Sequence, residues 1–309
     1  ALGAGELRHG EKKRAADRTK NSHRVVLTGY HNGFDEEVRQ VKAPSFAYAK
    51  PGSPAEAFEL ARRPGAKVLA GGQSLIPALN MRLWQPELLV DISGLPFRDI
   101  SLEQGVLRIG ALVTHSQIEK SGEIAKHAPL LAEAVKHVAH PAIRNRGTLG
   151  GSIALADPAA EYPACMVALD ASIVVAGAGG ERLVRAQQFF KGLFEVDLAP
   201  GELVVAVEVP AQLKDQRSVF IELARRHGDY AIIGLAGYRG KSTRFVFCGA
   251  GPTPILAKQA SAARDLDSAV LLLEKDLDPP GDLYNRSATK LHLAKVLLKR
   301  AWNTLSTSP

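Results

Sequence analysis

The sequence predicts a mixed α/β fold of the α+β kind, divided near residues 212–218, and three observations predict it. Short apolar runs that end in glycine alternate with stretches of helical period through the first two thirds of the chain. Longer strands then follow one another around a glycine turn, and two helical stretches come last. Between these parts lies AQLKDQR, a polar and apolar-poor stretch of the kind that separates domains.

The elements can be justified in order. Residues 1–41 are charged and without sustained period, and EKKRAADRTKNSHR reads as an extension that cannot bury enough apolar surface to order itself. Structured sequence is expected from about residue 42. SPAEAFELARR (53–63) has a Ser–Pro start and places Ala57, Leu60 and Ala61 at helical spacing before Pro64–Gly65 stop it. KVLAGGQSL (67–75) gives a short buried strand, Val68–Ala70, that breaks at Gly71–Gly72. LLVDIS (88–93) and VLRIGALVT (106–114) read as the next strands. Residues 116–139 are helical in period, interrupted near Ser121–Gly122, and this helix is expected to end near His140–Pro141. ASIVVAGAGGERLVRA (171–186) reads as two strands about a glycine turn, and ELVVAVEVP (202–210) as a strand closed by proline. SVFIELA (218–224) begins the C-terminal strands, with a hairpin turn near Arg239–Gly240–Lys241. Residues 261–277 and 285–302 read as helices separated by PPGD.

Composition removes several function classes. The 309 residues are 46% apolar and 23% charged, ordinary for a globular protein. The net charge of +7 raises nucleic acid as a partner, but aromatics do not alternate with the basic residues and no nucleic-acid-binding signature occurs, so none is expected. Two cysteines far apart, Cys165 and Cys248, cannot hold an iron–sulfur cluster or a Cys-rich zinc site. They read as buried thiols in a reducing compartment. No apolar run approaches a membrane span and the start lacks a secretory pattern, so a cytoplasmic location is expected.

Motifs for familiar chemistries are missing too. No G-x-G-x-x-G follows a strand, and GAGGER (177–182) fails at its last position. Gly240–Lys241–Ser242 resembles the end of a phosphate loop, but residue 235 is leucine and the context is a hairpin. No H-E-x-x-H or G-x-S-x-G occurs, so no catalytic side chain and no metal ligand is singled out. His115, His137, His140 and His227 read as surface or capping groups.

What stands out is a pair of double glycines, AGGQSL (70–75) and TLGGSI (148–153). Consecutive amides unshielded by side chains make a concave anion-binding surface, and the Ser74, Thr148 and Ser152 hydroxyls add donors. Two such loops beside apolar strands suit the two phosphates of a dinucleotide, or else are two structural turns. In ADPAAE, Asp157 and Glu161 could accept hydrogen bonds from sugar or ribityl hydroxyls, or they are the acids that favour a helix start beside a proline.

KVLAGGQSLIPALNMRLWQPELLVDI and HPAIRNRGTLGGSIALADPAAEYPA closely resemble the FAD-binding medium subunit of molybdenum hydroxylases, the group of aerobic carbon monoxide dehydrogenase and the xanthine dehydrogenases. RRHGDYAIIG (225–234) resembles its third signature, and the likeness runs from about residue 42 to 303. The resemblance implies a two-subdomain FAD-binding unit over 42–216 and a smaller C-terminal domain of antiparallel sheet and helices over 217–305. It implies that Val68, Leu69, Ala70, Gly71, Gly72, Gln73, Ser74 and Leu75, with Thr148, Leu149, Gly150, Gly151 and Ser152, wrap the pyrophosphate of a non-covalent FAD. Glu161 stands where the family often has aspartate and would bind the ribityl or a nearby hydroxyl. Val138 and Leu198 would pack against the flavin or hold it by main chain, and Tyr230 would gate its ring.

The resemblance also implies partners. Electrons would reach the FAD from [2Fe-2S] clusters on a small subunit and leave for an external acceptor such as quinone, oxygen or NAD. Substrate oxidation would occur at a molybdenum cofactor on a large subunit, within a dimer of heterotrimers. Any membrane association would be made through that complex. Relatives of the benzoyl-CoA reductase type carry an additional cluster for which this chain lacks the cysteines. Two other readings are a stand-alone FAD-dependent oxidoreductase of the same fold and a non-catalytic assembly protein without flavin.

Overall fold

The computed structural model describes residues 43–306; the expected extension at residues 1–41 lies outside the described residues. The described residues begin with a small parallel unit: β1 (Ala47–Ala49), α1 (Pro54–Ala61), β2 (Ala66–Leu69), α2 (Leu75–Asn80) and β3 (Leu88–Asp91). The strand order is β1-β3-β2, with both neighbours parallel to the central β3. Ser53 caps α1 by accepting from the Glu56 amide at 3.3 Å, and Pro54 sits in the first turn, where its missing N–H costs nothing.

A second unit follows, built on the antiparallel hairpin β4 (Ile100–Glu103) and β5 (Val106–Gly110). Its helices are α3 (His115–Lys120), α4 (Gly122–His127), α5 (Pro129–Ala134), α6 (Pro141–Arg144), α7 (Leu149–Leu155) and α8 (Glu161–Ala168). The hairpin β6 (Ser172–Gly177) and β7 (Gly180–Arg185) comes next, then α9 (Ala186–Phe189), the short β8 (Phe190–Gly192) and β9 (Glu195–Val196), and finally β10 (Leu203–Pro210). The returning β10 inserts between the two hairpins and gives the order β4-β5-β10-β6-β7.

The C-terminal sheet is antiparallel: β11 (Arg217–Ala224), β12 (Ala231–Arg239), β13 (Thr243–Cys248) and β14 (Ile255–Leu256), in that order. Then come α10 (Lys258–Ser261), α11 (Leu266–Asp276) and α12 (Ser287–Ser306). Strand alternation assigns the sheet's two faces. Ile233, Leu235, Phe245 and Phe247 join the core under α11 and α12. Ala236, Val246 and Cys248 join the core of the second unit, against Tyr162, Cys165 and Met166 of α8. The polar linker therefore separates elements in sequence but not their hydrophobic core. The α+β class read from the sequence is the fold observed.

Two local expectations are corrected. The helix expected over 116–139 is three helices, because Ser121 caps a new start by accepting from the Ile124 amide and Pro129 cannot continue the preceding turn. Residues 135–140 are not helical, and Pro141 starts α6 instead of ending a helix. The second double glycine does not lie beside a strand: Gly150 and Gly151 form the first turn of α7. Glycine costs about 1 kcal/mol in a helix. Here Thr148 offsets it by accepting from the Gly151 amide at 3.2 Å, and Leu149 and Ile153 are fully buried.

Candidate functional site

Three glycine contacts draw distant segments together around one cleft. A Cβ on Gly71 would lie 2.1 Å from the Arg146 carbonyl oxygen and 2.9 Å from Cα of Gly147, so the turn after β2 lies directly on the backbone leading into α7. A Cβ on Gly150 would lie 2.4 Å from that of Ala111, and the Gly150 amide donates to the Ala111 carbonyl at 2.8 Å, so α7 packs on the exit of β5. Gly228, at φ +84°, packs against Ala139 and His140, where a Cβ would come 2.8 Å from the Ala139 carbonyl. That contact brings the loop between β11 and β12 over the cleft.

The space enclosed is about 440 Å³, within the range of small-molecule and cofactor sites. Its wall includes Val68, Ala70, Gly71, Gly72, Gln73, Ser74 and Leu75 on one side. Thr148, Gly150, Gly151, Ser152, Glu161, Val138, Leu198 and Tyr230 line it elsewhere. Two of the sequence-derived residues are not in the wall. Leu69 packs with Leu75, Leu79 and Leu89, and Leu149 is fully buried with its amide donating to the Val113 carbonyl at 3.0 Å.

Amide accounting separates the two motifs. The N–H groups of Gly71, Gly72, Gln73 and Ser74 have no acceptor among the described residues. Four adjacent free donors beside a positive-φ glycine, Gly72 at +73°, make an anion cradle. In the second motif the amides are already used, by Ala111, by the Thr148 hydroxyl oxygen and by the Thr148 carbonyl. What it offers a ligand is two hydroxyl hydrogens, on Thr148 and Ser152, and a surface without side chains.

The wall also carries two carboxyl groups. Asp157 accepts from the Ala159 amide at 2.9 Å, and burial raises its pKa. Glu161 is buried, and this, with the charges of Glu222 and Asp157, pushes its pKa up to about 8. Amide and hydroxyl donors lining one cleft with hydroxyl-binding acids suit a ligand that joins an anionic group to a polyol. Tyr230 lies over the opening and is 70% exposed.

The sequence missed several groups here. His115, read as a surface or capping residue, is buried in the wall beneath Gly147; burial first, then the Arg144 charge, pushes its pKa down to about 4. It is neutral at ordinary pH, and its ring meets Tyr162 at 5.4 Å between centroids. Arg144, also buried, donates to the Val138 and Ala139 carbonyls at 3.1 Å each and pairs with Glu119 at 3.1 Å. It thereby fixes Ala139 at φ +43° and Val138 in the wall. Arg144→Met should lower stability by about 2–3 kcal/mol, since both carbonyls and Glu119 lose their partner. Urea unfolding checks this, and a change below about 0.5 kcal/mol would show that Arg144 does not hold this turn.

Comparison with known proteins fits this geometry. Residues 44–212 match the family model for the FAD binding domain in molybdopterin dehydrogenase. The chain is 36% identical over 278 residues to the 6-hydroxypseudooxynicotine dehydrogenase complex subunit alpha of Paenarthrobacter nicotinovorans, covering 84% of this chain and 94% of that one. It is 34% identical to the carbon monoxide dehydrogenase medium chain of Hydrogenophaga pseudoflava, covering 84% and 98%. Among solved structures, carbon monoxide dehydrogenase from Hydrogenophaga pseudoflava superposes with a TM-score of 0.81 at 34% identity, covering 85% of this chain and 98% of that one. Quinoline 2-oxidoreductase from Pseudomonas putida 86 gives 0.79 at 36% identity, covering 85% and 98%.

Proposed function

Because the chain belongs to the FAD-binding medium subunits of the molybdenum hydroxylases, as a carbon monoxide dehydrogenase-like electron-transfer subunit, we propose that it holds a non-covalent FAD between its two glycine motifs. It works between a small [2Fe-2S] subunit and an external acceptor such as quinone, oxygen or NAD. The large molybdenum-cofactor subunit completes a cytoplasmic dimer of heterotrimers, and residues 42–216 form the FAD-binding unit with 217–305 as its C-terminal domain. The observation that carries this reading is the run of four unpartnered amides at Gly71–Ser74 in a cleft that also holds Asp157 and Glu161.

The residues fit the group. The Gly71–Ser74 amides are directed to a pyrophosphate, and the Thr148 and Ser152 hydroxyls donate from the facing helix. Gly147, Gly150 and Gly151 let α7 and the segment leading into it pack closely on His115, Ala111 and Thr148, which sets the wall of the cleft. Glu161, the first residue of α8, binds a ribityl hydroxyl. Val138 and Leu198 give the ring an apolar seat, and Tyr230 shields its open edge from water. When bound, FAD supplies electron exchange between a one-electron donor and a one- or two-electron acceptor.

The test is to express the full chain alone and with the two neighbouring subunits, then record visible spectra. Flavin bands, FAD released by heat, and co-purification with molybdenum and iron–sulfur subunits are expected. A colourless protein that takes up no FAD in either preparation would overturn the reading.

A further inference from the structure

Behind the cleft wall lies a set of ionisable groups that cofactor binding does not use. Glu222 pairs with Gly234 across β11 and β12, and Gly234 with Cys248 across β12 and β13, so the three form one row across the sheet. A Cβ at Gly234 would come 2.5 Å from the Cys248 sulfur and 3.4 Å from Cβ of Glu222. The missing side chain thus lets the Cys248 sulfur and the Glu222 side chain close over this row, on the sheet face that packs against α8. The Glu222 side chain is only 4% exposed; Oε1 lies 3.4 Å from His137 Nδ1, and Oε2 is buried with no partner. His137 is about one-third exposed and stacks on His227 at 6.5 Å between centroids. Ionisable groups therefore run from Glu161 in the cleft wall, across the seam between the two parts of the chain, to solvent.

A half-satisfied buried carboxyl is costly, and an apolar residue would serve packing better. Reducing a bound flavin with electrons alone leaves negative charge in the cleft, and taking up a proton relieves it. We propose that Glu161, Glu222 and His137 form a proton path between the cofactor cleft and solvent. The proposal rests on the FAD reading above. With two electrons from the iron–sulfur partner, the Glu161 O–H bond breaks and its proton passes to the cofactor, leaving the ring with one net negative charge. Glu222 then reprotonates Glu161, and His137 passes a proton from water to Glu222. Reoxidation returns the proton by the same route. No hydrogen bond joins Glu161 to Glu222 in this geometry, so that step uses the unpartnered Oε2, through side-chain rotation or one bridging water.

The surroundings support the direction. Asp157, Glu222 and the apolar setting favour a protonated Glu161. Tyr230, Cys165 and Cys248 also face it, and each is itself harder to ionise there. On the far side, His137 faces Glu133 of α5 as well as Glu222.

Two measurements on the full chain test the path. In the FAD-free protein, infrared titration should show a protonated-carboxyl band that Glu161→Gln removes and whose midpoint Glu222→Gln lowers. In the loaded protein, photoreduction with an indicator dye follows proton uptake. Glu222→Gln and His137→Ala should slow uptake on the order of a hundredfold while FAD affinity stays near that of the parent, and added imidazole should restore His137→Ala. Uptake at the parent rate in both variants would overturn the proposal, as would a slowed His137→Ala that imidazole does not rescue or an infrared midpoint unmoved by Glu222→Gln. A chain that binds no FAD overturns the functional reading instead, and the infrared titration still decides whether Glu161 and Glu222 are coupled.

Discussion

Replacing Gly71 by alanine should cost the protein at least about tenfold in FAD affinity. The new methyl would sit 2.1 Å from the Arg146 carbonyl oxygen, far inside contact distance, and the obstacle is backbone. That backbone cannot retreat freely. The Arg146 and Gly147 amides donate to the Ile143 carbonyl at 3.1 and 2.8 Å, and the Gly147 carbonyl accepts from His115 at 3.0 Å. The β2–α2 turn must move instead, carrying the four unpartnered amides out of register with the facing hydroxyls. Overpacking of this kind costs about 1–3 kcal/mol. Because the misplaced groups are those that meet the ligand, the loss appears in binding before it appears in folding. Gly150→Ala is the contrast: its methyl meets Ala111, and its amide is already bonded there, so the unfolding midpoint should fall as well. Gly122→Ala, with open space and an ordinary helical backbone, is the control: FAD affinity should not change and the unfolding midpoint should rise slightly. Fluorescence titration with FAD, run beside urea unfolding, checks all three. Parent-like affinity in Gly71→Ala would show that the two motifs do not form one cradle.

The parts of this site that are local in sequence were legible, and those made by contact at a distance were not. The Ser53–Pro54 helix start, the strand that breaks at Gly71–Gly72 and the glycine hairpins depend on near neighbours, and periodicity and caps reveal them. The helical state of Gly150–Gly151 was hidden because glycine opposes helix, while the groups that overcome it, the Thr148 cap and the packing of Leu149 and Ile153, act together in three dimensions. His115 opens a short polar helix, HSQIEK, and reads as a surface residue; only the crossing of Gly147 over its ring buries it. Glu222 occupies a position in β11 where alternation suggests solvent, yet α8 covers that face. The resemblance to a known family supplied FAD; the bare residues left a dinucleotide and two structural turns equally open.

Glu161→Gln should stabilise the FAD-free protein, and the gain should grow with pH. The sign follows from proton counting. In the folded chain Glu161 titrates at about 8, against an ordinary value of 4.5. Between those values the folded state holds a proton that the unfolded state has released, so Glu161's contribution to stability falls as pH rises through that window and is level above it. At about 1.4 kcal/mol per pH unit the full effect is of order 4–5 kcal/mol, and relaxation around the buried carboxylate brings it toward the lower end. Glutamine keeps the shape and the hydrogen-bonding ends but cannot ionise. The difference between the two proteins should therefore be near zero at about pH 5 and reach several kcal/mol by about pH 8.5. Urea unfolding across that range measures it, and a difference that does not change with pH would show that Glu161 is not held protonated by its surroundings. Half-buried Asp157 and Glu133 are raised in the same direction; Glu133 is common to parent and variant and cancels in the comparison, while the Asp157 charge enters through its effect on Glu161. A carboxyl held at this cost at the first turn of α8, where the neighbouring positions of the helix are apolar and buried, is what the proposed role of Glu161 toward the cofactor predicts and packing alone does not.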